Sequence, residues 1–342
     1  MLILPGNIGI YLSIETNSKT DPNLKNEGER VPDPWGEGLV EVLRASNLFG
    51  EKTQPRRGKV RDVYDLGETL LIVTTDRVSA FDVVLPTLIP HKGRSLHALS
   101  VDWFRRTREV FPNHLLESVD ERTMKVVKAE RIDIEWVVRA YLYGSAWRAY
   151  RAGQRVISGV RLPEGLTMAE ELPEAILTPT TKSEVGHDVE LSKEEAIERK
   201  LLSLEEWEDL EEVSLRLFEY YHKEARKRGI IIPDFKLEFG RHRDGLTQID
   251  EPPTHDSARF WVEKKYKAGK PQETHCLDKE YLREYLRRVG FAGEGTPPEL
   301  PLPVIREVSK RCVASYLVLA KYQSIDSFDL KSVDEIFGKR EA

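Results

Sequence analysis

The chain has 342 residues, 40% of them hydrophobic and 32% charged, with a formal net charge of -6. That length can bury a substantial core and points to two lobes more readily than one, while the acidic balance argues against a protein built to cover duplex phosphates. No apolar run is long enough to span a bilayer, and two distant cysteines, Cys276 and Cys312, argue against a disulfide framework or a structural zinc site.

The apolar start lacks a basic flank and a small-residue cleavage site, so no secretory signal is expected and a cytoplasmic setting is. Residues 1–50 read as a partly disordered or peripheral extension, with a short helix expected over 38–48. Residues 51–130 are expected to form a small lobe, and residues 131–342 a larger one.

The small lobe opens with Arg57-Gly-Lys-Val-Arg-Asp-Val-Tyr-Asp-Leu-Gly67 and continues into Thr69-Leu-Leu-Ile-Val-Thr-Thr75, two strands around an Asp-Leu-Gly-Glu turn. A period of two puts Lys59, Arg61 and Val63 on one face. Beside Gly58 these cations suit a phosphate, although a solvated strand face has the same pattern. Thr75-Asp-Arg-Val-Ser-Ala-Phe-Asp82 follows, with Asp76 and Asp82 bracketing a small polar segment. A helix over 95–108 carries Leu96, Leu99, Trp103 and Phe104 as a core stripe.

Residues 126–139 read as two strands joined by a short link, the form a hinge between lobes would take. Arg139 then precedes Gly144 and Ser145, a setting for bidentate phosphate binding or for a buried ion pair with an acid such as Glu135. Residues 153–177 read as a surface excursion, and residues 177–188 as a loop offering hydroxyls, Lys182, His187 and Asp188. Ser192 with Glu195, and Ser203 with Glu206, form capping boxes that open two helices. The second helix has an apolar stripe of Leu204, Trp207, Leu210, Leu217 and Tyr221 and stops at Gly229.

Next, Asp234, Lys236 and Glu238 alternate with Phe235, Leu237 and Phe239, one face charged and one apolar. Residues 246–251 read as the returning strand of a hairpin. With Gly240 opposite Leu246, Glu238 faces Gln248 and Lys236 faces Asp250. Two carboxylates and an ammonium on one face suit magnesium bridging phosphate oxygens; a wet sheet face has the same pattern. Residues 252–261 form a turn-rich loop with Asp256, Ser257 and Arg259, and helices are expected over 281–289 and 304–322.

Six of these segments in this order resemble the SAICAR synthetase (phosphoribosylaminoimidazole-succinocarboxamide synthase) family: Gly58-Lys-Val-Arg-Asp-Val-Tyr64, Thr75-Asp-Arg-Val-Ser-Ala-Phe-Asp82, Val137-Val-Arg-Ala-Tyr-Leu-Tyr-Gly-Ser-Ala-Trp147, Thr178-Pro-Thr-Thr-Lys-Ser-Glu184, Ile231-Ile-Pro-Asp-Phe-Lys-Leu-Glu-Phe-Gly240 and Asp256-Ser-Ala-Arg-Phe-Trp261. The resemblance implies a two-lobed α+β fold, a small mainly antiparallel lobe clamping ATP in a cleft against a larger mixed lobe. It also implies a ligase joining L-aspartate to the carboxylate of carboxyaminoimidazole ribonucleotide through an acyl phosphate, with ATP and Mg2+ and no nucleic acid or membrane partner.

By the same resemblance Lys59, Arg61, Lys128, Glu130 and Lys182 fall at the ATP site, and Arg139, Ser145 and Arg259 at the ribonucleotide phosphate. Glu238 and Asp250 fall at the metal, with Lys236, Asp234 and Asp82 among the catalytic groups. Ala258 and the 131–133 Arg-Ile-Asp link depart from the family pattern. A kinase-like enzyme acting on another small phosphorylated metabolite is the competing reading, and a non-catalytic nucleotide-binding regulator a third.

Overall fold

The computed structural model describes residues 27–36, 38–50, 53–182 and 189–338. The first element is a strand pair, β1 (Glu27–Pro32) against β2 (Leu39–Ala45), and it replaces the helix expected over 38–48. Tertiary partners decide the matter: Val42, Leu43 and Ala45 are buried, and the Leu43 N–H donates to the Asp76 carboxylate at 2.8 Å. A strand leaves its N–H groups free for such acceptors, whereas a helix consumes them internally.

The small sheet has the order β3-β4-β5-β9-β8, built from β3 (Arg56–Arg57), β4 (Arg61–Asp65), β5 (Thr69–Thr74), β8 (Leu115–Ser118) and β9 (Thr123–Val127). A short pair, β6 (Ser79–Ala80) and β7 (Val83–Val84), leads from it into α1 (Lys92–Thr107). The expected stripe of α1 is buried, and it faces two cores. Phe104 packs with Ile72, Met124 and Val126 under the small sheet, while Leu99 and Trp103 join the main core.

The large sheet has the order β10-β17-β11-β14, formed by β10 (Glu130–Arg131), β11 (Ile134–Tyr141), β14 (Glu171–Leu177) and β17 (Asp234–His242). Two further strands attach to it, β15 (Thr180–Thr181) on β11 and β18 (Gly245–Ile249) on β17. Between β11 and β14 lie α2 (Gly144–Arg151) and the small hairpin β12 (Val156–Ile157) and β13 (Val160–Arg161). The expected surface excursion over 153–177 thus ends in a sheet strand, because β14 pairs with Val138 and Arg139.

Both capping boxes form, at α3 (Lys193–Glu198) and α4 (Leu204–Arg226). Trp207, Leu210, Leu217 and Tyr221 of α4 are buried against the sheet, whereas Leu204, at its first residue, is exposed. The helix ends at Arg226, a turn runs on to Gly229, φ 71°, and β16 (Ile230–Ile231) pairs with β19 (Trp261–Val262). Helices α5 (Glu280–Arg288), α6 (Leu302–Leu319) and α7 (Val333–Phe337) close the molecule. Trp136, Phe235, Phe239 and Tyr221 centre the main core, each contributing about 1.5–3 kcal/mol by burial. The result is the expected α+β arrangement of two lobes, mainly antiparallel in its sheets.

Candidate active site

Strand β17 organises the site. Its apolar residues, Phe235, Leu237 and Phe239, belong to the main core, and Phe235 stacks on Phe218 of α4 with ring centroids 5.6 Å apart. The opposite face carries Lys236 and Glu238 into a cleft of roughly 1250 Å³ between the two sheets. Lys236 donates to Glu135 at 2.9 Å and to Glu238 at 2.6 Å, and Lys182 pairs with the second oxygen of Glu238. A carboxylate as buried as Glu238 is tolerable only because two ammonium groups satisfy it.

The hairpin register differs from the expected one by a single residue. Glu238 lies opposite Ile249, Phe239 opposite Gln248 and Arg241 opposite Leu246. The connector is a two-residue turn, Arg243 and Asp244, closed by the His242 and Gly245 pair, where a longer one had been expected. Such a slip would send every later side chain to the wrong face. Asp250 escapes because the ladder ends at Ile249 and Asp250 is left-handed, φ 63°. An aspartate tolerates that conformation better than most residues. Its carboxylate therefore still approaches Lys236, with Nζ to Oδ2 at 3.9 Å.

From the small sheet, Arg61 reaches across the cleft, giving one N–H to Asp250 at 2.9 Å and pairing with Glu251 at 2.6 Å. Burial alone would raise the Asp250 carboxyl, but Arg61, Lys236 and Lys182 outweigh it and hold it well below the usual carboxylate range. Burial likewise opposes the charge on Lys236, yet Glu238, Asp250 and Glu135 raise its pKa. Lys59 pairs with Asp82 at the mouth, where Asp82 is held at φ 63°.

A second cationic centre lies where β11 meets α2. Arg139 donates to Thr178 Oγ1 at 2.9 Å, to Ser145 Oγ at 3.1 Å and to Asp234 at 3.4 Å. Arg259 donates from one nitrogen to both Asp234 oxygens, at 2.8 and 2.6 Å, and lies over the Tyr143 ring. The acid that pairs with Arg139 is thus Asp234, and Glu135 goes to Lys236. Asp234, expected among the catalytic groups, is buried as a shared counter-ion. Gly144, φ 61°, is required twice over, since a Cβ there would stand 2.4 Å from Arg259 Nη2.

Two expected nucleotide residues are not brought into the cleft. Lys128 pairs with Asp65 at 2.6 Å on an exposed edge, and Glu130 is exposed. The link contributes Val127, Ala129 and Arg131 in their place. Alternation explains this: once Val127 faces in, Lys128 faces out. Lys182 does line the cleft, whereas His187 and Asp188 lie outside the described residues. Lys279 and Arg283 of the α5 region also line it and were not singled out in the sequence, where they sit in an ordinary charged helix pattern.

A sequence profile described as SAICAR synthetase matches residues 54–300. The chain belongs to the SAICAR synthetase family. It is 40% identical over 296 residues to the phosphoribosylaminoimidazole-succinocarboxamide synthase of Thermodesulfovibrio yellowstonii, covering 82% of this chain and 99% of that one. The Bacteroides thetaiotaomicron protein of the same name is 42% identical over 275 residues, covering 78% of this chain and 87% of its own. Among solved structures, the SAICAR synthase of Saccharomyces cerevisiae complexed with SAICAR superimposes with a TM-score of 0.73 at 31% identity, over 80% of this chain and 96% of that one. A SAICAR synthetase in complex with ADP gives 0.57 at 25% identity, over 72% and 100%.

Proposed function

We infer that this chain is the ATP-dependent ligase that joins the amino group of L-aspartate to the carboxylate of carboxyaminoimidazole ribonucleotide in purine biosynthesis. Family membership carries the reaction class, and one observation about the site supports the substrate pair: the molecule holds two separate cationic centres. Lys59 and Arg61, beside the Glu238 and Asp250 carboxylates, suit the phosphates of ATP; Arg139 and Arg259, with Ser145, suit the phosphate of the ribonucleotide. The SAICAR and ADP named in the two related structures are consistent with both. The kinase-like reading is not favoured, since the family is one of ligases.

In this reading the γ-phosphoryl group of ATP passes to the substrate carboxylate, giving an acyl phosphate and ADP. The aspartate amine then forms the C–N bond, the C–O bond to phosphate breaks, and the amine loses its proton. No protein nucleophile is needed; positioning and charge neutralisation suffice. Lys236 and Lys182 face the carboxylate pair that phosphate oxygens would approach, and Arg61 neutralises the same charge from the other lobe. Asp234 orients the arginines, and Asp82 holds Lys59.

Magnesium fits this donor set. Among the described residues no three metal-capable side chains cluster, and Mg2+ commonly takes one or two protein carboxylates together with substrate phosphates. Glu238 and Asp250 would hold it, and it would supply charge for phosphoryl transfer. The proposed organisation is a nucleotide-clamping lobe over 51–130 and a substrate lobe over 131–342, in a cytoplasmic enzyme; among the described residues no helix is long and apolar enough to cross a membrane. ADP release measured with aspartate and carboxylated ribonucleotide, each omitted in turn, tests the reading. Full turnover without either substrate would refute it.

A further inference from the structure

Two carboxylates in the small lobe, Asp62 and Asp76, are fully buried, and each takes part of its donors from outside residues 54–300 that the family profile matches. Asp76 accepts from Leu43 N at 2.8 Å, from Gly93 N at 2.8 Å and from Arg122 at 2.7 Å. Asp62 accepts from Ser46 N at 2.7 Å, from Ser46 Oγ at 2.9 Å and from Arg77 at 2.7 Å. A buried carboxylate stripped of such donors is strongly unfavourable, so the segment from Leu39 to Ser46 belongs to this lobe energetically.

The Arg77 guanidinium does more than neutralise Asp62. Its remaining N–H groups go to three carbonyls: Gly58 at 3.0 Å, Lys59 at 3.2 Å and Arg44 at 2.5 Å. Thr75 holds the next carbonyl, Val60, through its hydroxyl at 2.8 Å. The turn that carries Lys59 to the cleft is therefore fixed by its own backbone, with Arg77 joining it to the 39–46 strand on one side and to Asp62 on the other. Only a planar fork with several fixed donors can bridge three carbonyls and a carboxylate; an ammonium cannot.

We propose that Arg77 is a positioning residue for the nucleotide, and that residues 39–46, with Asp62, form the brace through which it holds Lys59 and Arg61 ready for phosphate. The proposal rests on the reading of Lys59 and Arg61 as phosphate-binding. The bonds that fix this turn all lie within the protein, so nucleotide binding need not order it. Loosening the brace leaves the charges in place and takes away their fixed position.

Arg77→Lys in the full chain tests this, with Lys59→Gln as its reference. Arg77→Lys is expected to raise KM for ATP about 10-fold or more while KM for the ribonucleotide changes less than about 3-fold. Ser46→Ala, a milder cut in the same brace, is expected to shift KM for ATP in the same direction by less. Because Arg77 acts through Lys59 and Arg61, the double variant with Lys59→Gln should lose less ATP affinity than the two single losses added together. A lower melting temperature with both KM values unchanged, or with both raised equally, would overturn the positioning role. If Lys59→Gln weakens ATP and Arg77→Lys does not, the brace fails and the nucleotide reading stands; if Lys59→Gln leaves KM for ATP unchanged, the nucleotide reading itself fails.

Discussion

Arg61 and Asp250 come from different sheets and meet across the cleft at 2.9 Å, with Glu251 on the other arm of the same guanidinium at 2.6 Å. The contact ties the small sheet to the end of the β17–β18 hairpin. A phosphate entering beside Arg61 would compete with Asp250 for the guanidinium, and the released carboxylate would be available to a cation. The two lobes are thus linked by an ion pair whose partners would each have a second use in the proposed reaction.

Glu238 faces the same cleft as Asp250, and Glu238→Gln is expected to remove Mg2+-dependent turnover, lowering kcat by about 100-fold or more, because an amide keeps the shape and loses the charge. Circular dichroism should be unchanged. Activity like that of the unsubstituted protein at ordinary Mg2+ would sink the metal assignment.

Arg259→Lys keeps the positive charge but loses the planar pair of nitrogens, of which Nη1 holds Asp234 while Nη2 pairs with Glu280 at 3.5 Å. Hydrogen bonds to charged groups contribute about 1.5–3 kcal/mol, so ribonucleotide affinity should fall by about one to two orders of magnitude. ATP affinity should change little. Calorimetric titration giving equal losses for the two ligands would contradict the assignment of two separate anion centres.

Gly240 lies against the link between the lobes. An added Cβ would stand 2.9 Å from the Glu130 carbonyl oxygen and 3.0 Å from Ala129 Cβ. Both are parts of the link that cannot swing aside as a side-chain tip could, so Gly240→Ala should push it outward, at an overpacking cost of about 1–3 kcal/mol. The expected outcome is a several-fold higher KM for ATP and a lower melting temperature, read by steady-state kinetics and thermal unfolding. A variant with both values unchanged would show that the link is free to shift.

Buried histidines, His97 and His255 among them, make folding sensitive to acid. Burial lowers the pKa of His97 to about 4 and of His255 to about 3, each from an ordinary 6.5. Each bonds a serine hydroxyl, Ser118 and Ser315 respectively. A depressed histidine pKa means that the unfolded chain binds the proton first. The stability linked to these groups is therefore complete above pH 6.5 and is lost as the pH falls towards 4. The expected slope is about 1.4 kcal/mol per pH unit for each group within that window. Urea unfolding at pH 7, 6 and 5 measures it, and His97→Asn should reduce the slope. An unchanged slope in that variant would remove His97 from the account.

The sequence by itself determined the elements whose signals are local. The alternation of 234–239 specified a strand with one wet and one dry face, the Ser-x-x-Glu boxes fixed where α3 and α4 begin, and six ordered segments identified the family. What the sequence could not determine depended on partners far along the chain. Residues 38–48 could have suited a helix, and became a strand because Asp62 and Asp76 wait buried for their N–H groups. The hairpin register turned on a two-residue turn, and Asp250 reached the site by a left-handed backbone that no periodicity announces. Asp234 looked like one more charge on the working face of β17, and only the arrival of Arg139 and Arg259 from other elements made it their counter-ion. Local pattern sets which face of an element is polar; which polar groups end as neighbours, and so which remain free to meet a ligand, is decided when the chain folds back on itself.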